Sequence, residues 1–160
     1  MRILGIDPGA YGALAIVDLA SPGRVEIFDM PSVQIKRGTR MVNQVSAPML
    51  AEILRDQLIE SAILEKVGAM PGQGVSSMFA FGRAAGVVEG VLAGLSIPVT
   101  LVTPQEWQKH MRVVGGKDGA RSRASQIFSQ DVKYFLRKKD DGRADAALIA
   151  SYGFTMLGWS

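Results

Sequence analysis

The sequence predicts one α/β domain in which helices cover both faces of a mixed sheet. Three observations predict it: short apolar runs open the chain, apolar residues recur at helical spacing after residue 46, and strand and helix patterns then alternate. At 160 residues, the chain can bury a core but is short for a second lobe. We therefore expect a single domain over residues 1–160.

The first third of the chain is dominated by strand patterns. Residues 2–7 and 12–19 predict two strands of a hairpin, because a proline and two glycines lie between them. The apolar residues Val25 and Ile27 alternate with polar neighbours, which predicts a third, half-exposed strand. A polar, mobile loop is then expected through Gly38 and Asn43.

The middle of the chain alternates between helix and strand. Ser46 is a suitable N-cap for an amphipathic helix, and residues 62–67 predict a short strand. The segment MPGQGVSS predicts a loop. Ser76 or Ser77 is expected to cap a long helix that runs to about Leu95.

The last third is predicted to be mostly helical. A strand at 98–102 leads into a capping box formed by Thr103 and Glu106. Two further helices are expected at 118–129 and 142–157. This order of elements fits a ribonuclease-H-like α/β fold, with a mixed five-stranded sheet flanked by helices.

Composition excludes several classes of protein. There are no cysteines, so disulfide frameworks, thiolate metal sites and thiol nucleophiles are excluded. The longest apolar stretch, 78–95, is interrupted by Arg83 and Glu89, which are costly in lipid, so no membrane association is expected. The chain also opens directly on a strand pattern, without a secretory leader. We therefore expect a cytoplasmic protein.

Positive charge is concentrated in one region. Residues 109–143 carry 10 basic and 4 acidic side chains, whereas residues 1–108 carry 8 and 10. Such a local excess suits a polyanion, although a solvated basic face is the alternative. The cations singled out as contacts for such a polyanion are Lys117, Arg121, Arg123, Arg137, Lys138 and Lys139, with Arg83 added from the long helix.

Two isolated acids lie in strand patterns. Asp7 ends the first strand just before Pro8 and Gly9, so its side chain should leave the sheet where open α/β sheets bind ligands; a simple turn is the alternative. Glu65 lies inside the apolar run AILEKV, where an ionised carboxylate needs a partner. That partner is either a structural salt bridge or a metal ion.

Three more acids precede the last helix. Asp141 and Asp145 are four residues apart, so they should share one face near the helix N-terminus, where the dipole favours negative charge. Asp140 should lie in the preceding loop. Helix capping explains one of these aspartates but does not need three. Because converging carboxylates repel one another, a divalent metal ion is the expected partner of the whole acidic set.

Four glycines repeat at four-residue intervals along the long helix, and we call them the glycine ridge: Gly82, Gly86, Gly90 and Gly94. Each helical glycine costs about 1 kcal/mol relative to alanine, so the ridge needs a packing reason. We expect it to approach its own sheet; a dimer contact is the alternative. Phe79, Val87 and Val91 are expected on other faces of this helix, available to a second copy.

Four segments of the chain together resemble the RuvC-type Holliday junction resolvases, in particular the version found in bacteriophages. They are GIDPG, ILEKVGAMPGQGVSSMFAFGRAAGVVEGVL, PVTLVTPQEWQKHM and RKKDDGRADAALIA. The likeness extends over nearly the whole chain, and it implies a protein of a bacterial cell, encoded by the cell or by a phage. It implies a ribonuclease-H-like fold, a homodimer, and paired Mg²⁺-dependent nicks in branched DNA, above all in four-way junctions.

The resemblance also implies roles for particular residues. The family's metal-binding acids match Asp7, Glu65 and Asp145, with Asp141 as the fourth, and they are expected to hold two Mg²⁺ ions, for which Mn²⁺ substitutes. The last two acids are four residues apart here and three in the better-known bacterial pattern. Where those enzymes place an aromatic wedge, this chain has Met70, which can act as an apolar wedge between bases.

Two other functions remain open at the level of sequence. The run GIDPGAYGALAI is similar to the phosphate-binding hairpin of actin-like and sugar-kinase ATPases, but those enzymes close two lobes over the nucleotide. A junction-binding protein without catalytic activity would keep the basic surface and would not need the acids.

Overall fold

The structure is a computed structural model that describes residues 1–157, apart from the side chain of Lys117. Its strands and helices follow in the order β1, β2, β3, β4, β5, α1, β6, α2, β7, α3, α4 and α5. The strands are β1 Arg2–Asp7, β2 Ala13–Asp18, β3 Glu26–Asp29, β4 Ser32–Arg37, β5 Arg40–Val45, β6 Ile59–Glu65 and β7 Val99–Val102. The helices are α1 Ala47–Arg55, α2 Val75–Gly94, α3 Pro104–His110, α4 Gly116–Ile127 and α5 Asp141–Met156, with short 3-10 turns at Val132–Tyr134 and Lys138–Asp140.

The main sheet has five strands in the order β3-β2-β1-β6-β7. The strand β2 is antiparallel to both β1 and β3, whereas β6 is parallel to β1 and β7 is parallel to β6. This confirms the predicted mixed five-stranded sheet. Because β1, β6 and β7 are parallel, their carboxyl ends meet at one edge, where open α/β sheets bind their ligands.

Helices cover both faces of this sheet. On one face α5 packs together with α3 and α4, and Ile3 and Ile63 point into this layer. On the other face α1 and α2 cover Leu4 and Leu64. The layer of α5 is in backbone contact with the sheet, since a Cβ placed on Gly5 would lie 2.2 Å from the Ala146 carbonyl oxygen.

Residues 32–45 form a hairpin, so the expectation of a polar loop through Gly38 and Asn43 is wrong. Strands β4 and β5 pair in an antiparallel register from Ser32 opposite Val45 to Arg37 opposite Arg40, in a two-stranded sheet of their own. Gly38 has a φ of +62° and starts the two-residue turn, a position that favours glycine. Val33 and Ile35 alternate with polar residues in β4, whereas β5 shows no such alternation.

The long helix α2 differs from expectation in two ways. It begins at Val75 after Gly74, without a side-chain cap, so the predicted serine cap is wrong. The glycine ridge does not pack on the sheet: a Cβ on any of its four glycines would meet nothing within 4 Å. Instead Val87 and Val91, expected to be available to a second copy, pack against the core beside Val88 and Leu92.

By length and composition alone, α2 is the one helix in the described chain that could cross a membrane. A single helix that passes this test is weak evidence, because core helices pass it too. One side of α2 carries Ala84, Val88 and Leu92 into the core. This packing accounts for the apolar residues on that side of the helix, while 22% of the tested window is buried inside the protein.

The carboxyl-terminal helices agree closely with expectation. Thr103 and Glu106 form the predicted capping box at the start of α3. The helix α4 begins two residues before the predicted start, after Gly115 with a φ of +94°. The last helix, α5, begins at Asp141, one residue before the predicted start, and therefore contains both Asp141 and Asp145.

Candidate active site

Two carboxylates meet at the carboxyl edge of the sheet. Asp7 ends β1 and Glu65 ends β6, directly after the paired residues Ile6 and Leu64. Strand alternation points both side chains towards the face that α5 covers, the face of Gly5. Burial and the negative charge of Glu65 raise the pKa of the Asp7 carboxyl to about 7, against a weak hydrogen bond from the Gly9 N–H. The pair is therefore electrostatically coupled.

Glu65 is held in place by a buried tryptophan. The Trp107 Nε1–H donates a hydrogen bond of 2.7 Å to Glu65 Oε2, and Trp107 is completely buried. Burial raises the pKa of Glu65, and this hydrogen bond opposes the rise because it favours the charged form. One carboxylate oxygen of Glu65 is thus oriented by α3, so the capped start of that helix also positions the site.

The first turn of α5 lies against Asp7. A Cβ placed on Gly142 would be 3.1 Å from Asp7 Oδ2 and 2.8 Å from the Tyr11 carbonyl oxygen. Only glycine allows this close approach. Asp145 follows Gly142 by three residues, and side chains at this spacing are about 5–6 Å apart on a helix surface. Asp145 is half-buried and shares a face of α5 with Asp141.

The two neighbouring aspartates 140 and 141 have different environments. Asp140 is almost completely buried and accepts hydrogen bonds from the Arg137 backbone N–H (2.9 Å) and guanidinium (2.8 Å). Burial alone would raise the pKa of Asp140, but Arg137 holds it below its ordinary value. Asp141 is one-quarter exposed and lies 3.2 Å from Arg121 Nε. Asp140 is therefore structural, which favours Asp141 as the fourth acid.

The donor chemistry of this edge fits a divalent metal ion. Carboxylate oxygens are the ligands that Mg²⁺ prefers, and a cation would offset the repulsion that raises the pKa of Asp7. The structure brings Asp7 and Glu65 together and lays Asp141 and Asp145 along the adjacent helix. Among the described residues, no three acidic or imidazole side chains lie close enough together to hold a metal ion. The convergence of all four acids stays a prediction.

Three of the cations predicted to contact DNA already have partners within the chain. Arg121 pairs with Asp118 and Asp141. Arg123 donates to the Met111 carbonyl oxygen at 2.8 Å, and Arg137 holds Asp140. A structural role thus accompanies any phosphate contact that these arginines make.

Four of the other predicted DNA contacts are exposed. Lys138 and Lys139 lie just before α5, and Met70 lies in the loop that leaves β6 at the site edge, with 63% of its surface exposed. Arg83 is exposed on α2, on the opposite face of the sheet from α5. Lys117 lies in α4, and its side chain is outside the described part of the structure.

Sequence reasoning missed two features of the site. The first is Trp107, whose contact with Glu65 spans 42 positions and has no local signal. The second is Arg143, which donates two hydrogen bonds to Asp29 at the end of β3, at 2.6 and 2.7 Å. The segment RKKDDGRAD was recognised for its acids, whereas its last arginine also connects α5 to the edge of the sheet.

Fold and site together define a ribonuclease-H-like α/β domain with an acidic edge, and solved structures show this fold. RuvC from Thermus thermophilus in complex with a Holliday junction substrate superposes with a TM-score of 0.66 at 16% identity, over 99% of this chain and 97% of that one. A second T. thermophilus RuvC structure gives a TM-score of 0.61 at 18% identity, with the same coverage. The chain thus has the fold of RuvC.

A relative with a known name also matches at the level of sequence. The chloroplastic Holliday junction resolvase MOC1 of Chlamydomonas reinhardtii is 26% identical over an alignment 155 positions long, and the match covers 83% of this chain. The chain spans only 18% of the length of that relative. No protein-family model matches the chain.

Proposed function

We propose that this protein is a metal-dependent endonuclease that resolves four-way DNA junctions by paired nicks, a crossover junction endodeoxyribonuclease. The observation that carries the proposal is the coupled pair Asp7 and Glu65 at the carboxyl edge, under the first turn of a helix that supplies two more acids. The named relative and the RuvC fold support it, since both proteins are described with Holliday junctions. A DNA substrate agrees with an intracellular location.

Four carboxylates are proposed to hold two Mg²⁺ ions, with Mn²⁺ as a substitute: Asp7, Glu65, Asp141 and Asp145. The chemistry that metal ions supply to phosphodiester hydrolysis is an activated water and neutralisation of charge on the leaving oxygen. The chain itself orients the ligands. Trp107 fixes one oxygen of Glu65, and Arg121 holds Asp141 from α4. No protein nucleophile is needed.

The exposed lysines beside α5 are proposed to hold the DNA backbone. Lys138 and Lys139 lie within three residues of Asp141, so a phosphate they bind is near the acidic edge. Such contacts position the DNA without reading its sequence. Met70, exposed in the loop after β6, is proposed as the apolar wedge at the branch point.

Paired nicks need two active sites in a fixed relation, which we propose a two-fold dimer supplies. The glycine ridge of α2 is our candidate contact, because a Cβ on any of its glycines would meet nothing within 4 Å and the ridge would let a second helix approach closely. Phe79, which precedes the ridge on α2, has 68% of its surface exposed and is available to the same contact.

The deciding experiment compares a synthetic four-way junction, a matched linear duplex and a flap, each with and without Mg²⁺. We expect nicks of the junction that depend on Mg²⁺. Asp7→Asn, Glu65→Gln and Asp145→Asn should each abolish cleavage and leave junction binding intact, because each removes a charged ligand but little volume. Glu52→Gln, on the exposed side of α1, is the matched control and should cut normally.

Other outcomes would point to the remaining functions. Near-normal cleavage by any two of the three variants would contradict the metal-site assignment. Junction binding without cleavage by the wild type would indicate a non-catalytic binding protein. Tight ATP binding without junction binding would indicate an actin-like or sugar-kinase-like nucleotide site.

A further inference from the structure

The hairpin β4–β5 extends from the domain as an arm. Its six-residue strands are each about 20 Å long at the usual rise per residue. At the base, Met30 and Val45 are buried in the core under α1 and α2. Beyond the base the arm is largely exposed, including Val33 and Met41. Only one end of the hairpin is therefore fixed by packing.

The free end of the arm carries three positive charges that no acidic side chain of the described residues neutralises. Lys36, Arg37 and Arg40 are all exposed, and no acidic residue occurs between Asp29 and Glu52. None of the three cations forms an ion pair within the described residues. The tip is thus a cluster of three cations available to an external anion.

Two of these cations are placed where they oppose folding. Arg37 and Arg40 are directly opposite each other in the antiparallel register, on either side of the turn that Gly38 starts. Like charges directly opposite across a strand pair are destabilising. A partner that neutralises both arginines at once would remove this cost, and a phosphate backbone is such a partner.

The base of the arm lies at the edge that holds the candidate active site. The Gly12 carbonyl oxygen accepts a hydrogen bond of 3.0 Å from the Met30 N–H, so the segment leading into the hairpin runs beside the β1–β2 turn. A pocket of about 280 Å³ lies between this turn and α5, and Ser32, Lys139 and Arg143 line it. Arg143 ties the end of β3 to the first turn of α5. Positive groups are therefore found beside the acidic edge and again at the end of the arm.

We propose that the hairpin β4–β5 is a second DNA-binding element, which holds the backbone phosphates of the duplex arm next to the cleaved strand. The proposal rests on the proposed function of the acidic edge. Two paired strands fit the major groove of duplex DNA, which is about 12 Å wide. The cations Lys36, Arg37 and Arg40 are the phosphate contacts, and they take no part in the hydrolysis.

The test replaces Lys36, Arg37 and Arg40 together by glutamine and measures binding to a four-way junction in EDTA between 50 and 200 mM salt. Each phosphate contact contributes about 0.9 to the slope of log K against log salt, so the triple variant should have a slope shallower by up to about 2.7. Over this four-fold change in salt, the wild type should lose about 40-fold more affinity than the variant. At saturating protein, the variant should still cut at the wild-type rate when Mg²⁺ is added.

Two control variants show whether a change in the salt slope comes from the lost charges of the arm or from a loss of folding. Arg55→Gln removes an exposed cation at the end of α1. This residue lies just before the start of β6, at the opposite end of the sheet from the acidic edge. The variant should therefore keep the wild-type salt slope of junction binding. Arg37→Lys with Arg40→Lys keeps the charges and should retain the wild-type slope. Neutralising the facing pair should not lower the melting temperature of the triple variant.

Three results would overturn the inference. If the wild type cuts junctions and the triple variant keeps the wild-type slope, the hairpin is not a DNA contact, while the proposed function stands. If the variant loses dimer mass in light scattering at an unchanged slope, the arm contacts a second copy. If the wild type neither binds nor cuts junction DNA, the proposed function fails and the inference fails with it.

Discussion

Replacing Gly86 and Gly90 of the glycine ridge by alanine tests the proposed dimer, because the change has opposite effects on the monomer and on the contact. In the isolated chain both added methyl groups point into open space. Each glycine-to-alanine change in a helix interior stabilises it by about 0.5–1 kcal/mol. The monomer should therefore gain roughly 1–2 kcal/mol, a rise of about 2–8 °C in Tm for a chain of this size.

In a dimer that packs through the ridge, the same methyl groups lie in the contact. Close approach of two helices depends on small residues, so we expect the double variant to dissociate. Light scattering at micromolar concentration should report roughly twice 17.2 kDa for the wild type and 17.2 kDa for the variant. Thermal melts at concentrations where both proteins are monomeric should show the stability gain separately. Ser77→Ala, on α2 but off the ridge, is the control and should remain dimeric.

A variant that gains stability and keeps the dimer mass would refute this reasoning, since the ridge would then be only a solvated face. A variant that loses stability would mean that the methyl groups meet something within the chain. A wild-type protein that stays monomeric with and without junction DNA would remove the paired-nick mechanism.

Three further changes follow from contacts in the site. Trp107→Phe keeps an aromatic ring in the core but removes the N–H that orients the glutamate on β6, so the affinity for Mg²⁺ should fall by about 10–100-fold. Calorimetry and the Mg²⁺ dependence of cleavage measure this affinity. An unchanged affinity would refute the role of the hydrogen bond. Arg137→Gln leaves the buried Asp140 carboxylate without its main partner and should lower the free energy of unfolding by about 1–3 kcal/mol in chemical denaturation; a stability within about 0.5 kcal/mol of the wild type would contradict this. Changing Lys138 and Lys139 together to glutamine should instead spare stability and make the salt slope of junction binding shallower by up to about 1.8, and an unchanged slope would mean that the lysines are only solvated.

The sheet and most of the helices were predictable because their signals are local. Apolar period and turn residues predicted β1, β2, α1 and the capping box of α3 without any knowledge of their neighbours. The hairpin β4–β5 was missed because its tip, KRGTR, is polar and its strands bury little. An apolar face is the usual sign of a strand, and this arm has only Ile35 and Val42 half-buried beyond its base.

The glycine ridge shows a different limit of sequence reasoning. Four glycines at helical spacing indicate that one side of α2 packs closely against a neighbouring element. The sequence does not say whether this element belongs to the chain's own sheet or to a second copy of the protein. The structure excludes the first for the described residues, because the side of α2 that meets the core is formed by Ala84, Val88 and Leu92 instead.

The candidate site was predictable as a set of acids and not as a geometry. Asp7 and Glu65 were grouped as acids that share a metal ion, and the structure places both at the carboxyl ends of parallel strands, which share an edge. The partners that orient the acids come from distant segments: Trp107 lies 42 residues from Glu65. A single sequence carries no record of such pairings, since neither residue has an unusual local pattern.

The segment at the start of α5 explains why its acids are not equivalent. Asp140 holds the preceding basic loop through its hydrogen bonds to an arginine, and Arg143 holds the end of β3. Between them, Asp141 pairs with α4, and Gly142 lets Asp7 approach the helix. Four consecutive residues thus connect four different parts of the protein to one helix turn. The same turn is connected through β3 to the hairpin arm. Under the proposed function, DNA held by the arm and a phosphate at the acidic edge would therefore be positioned relative to the same helix turn.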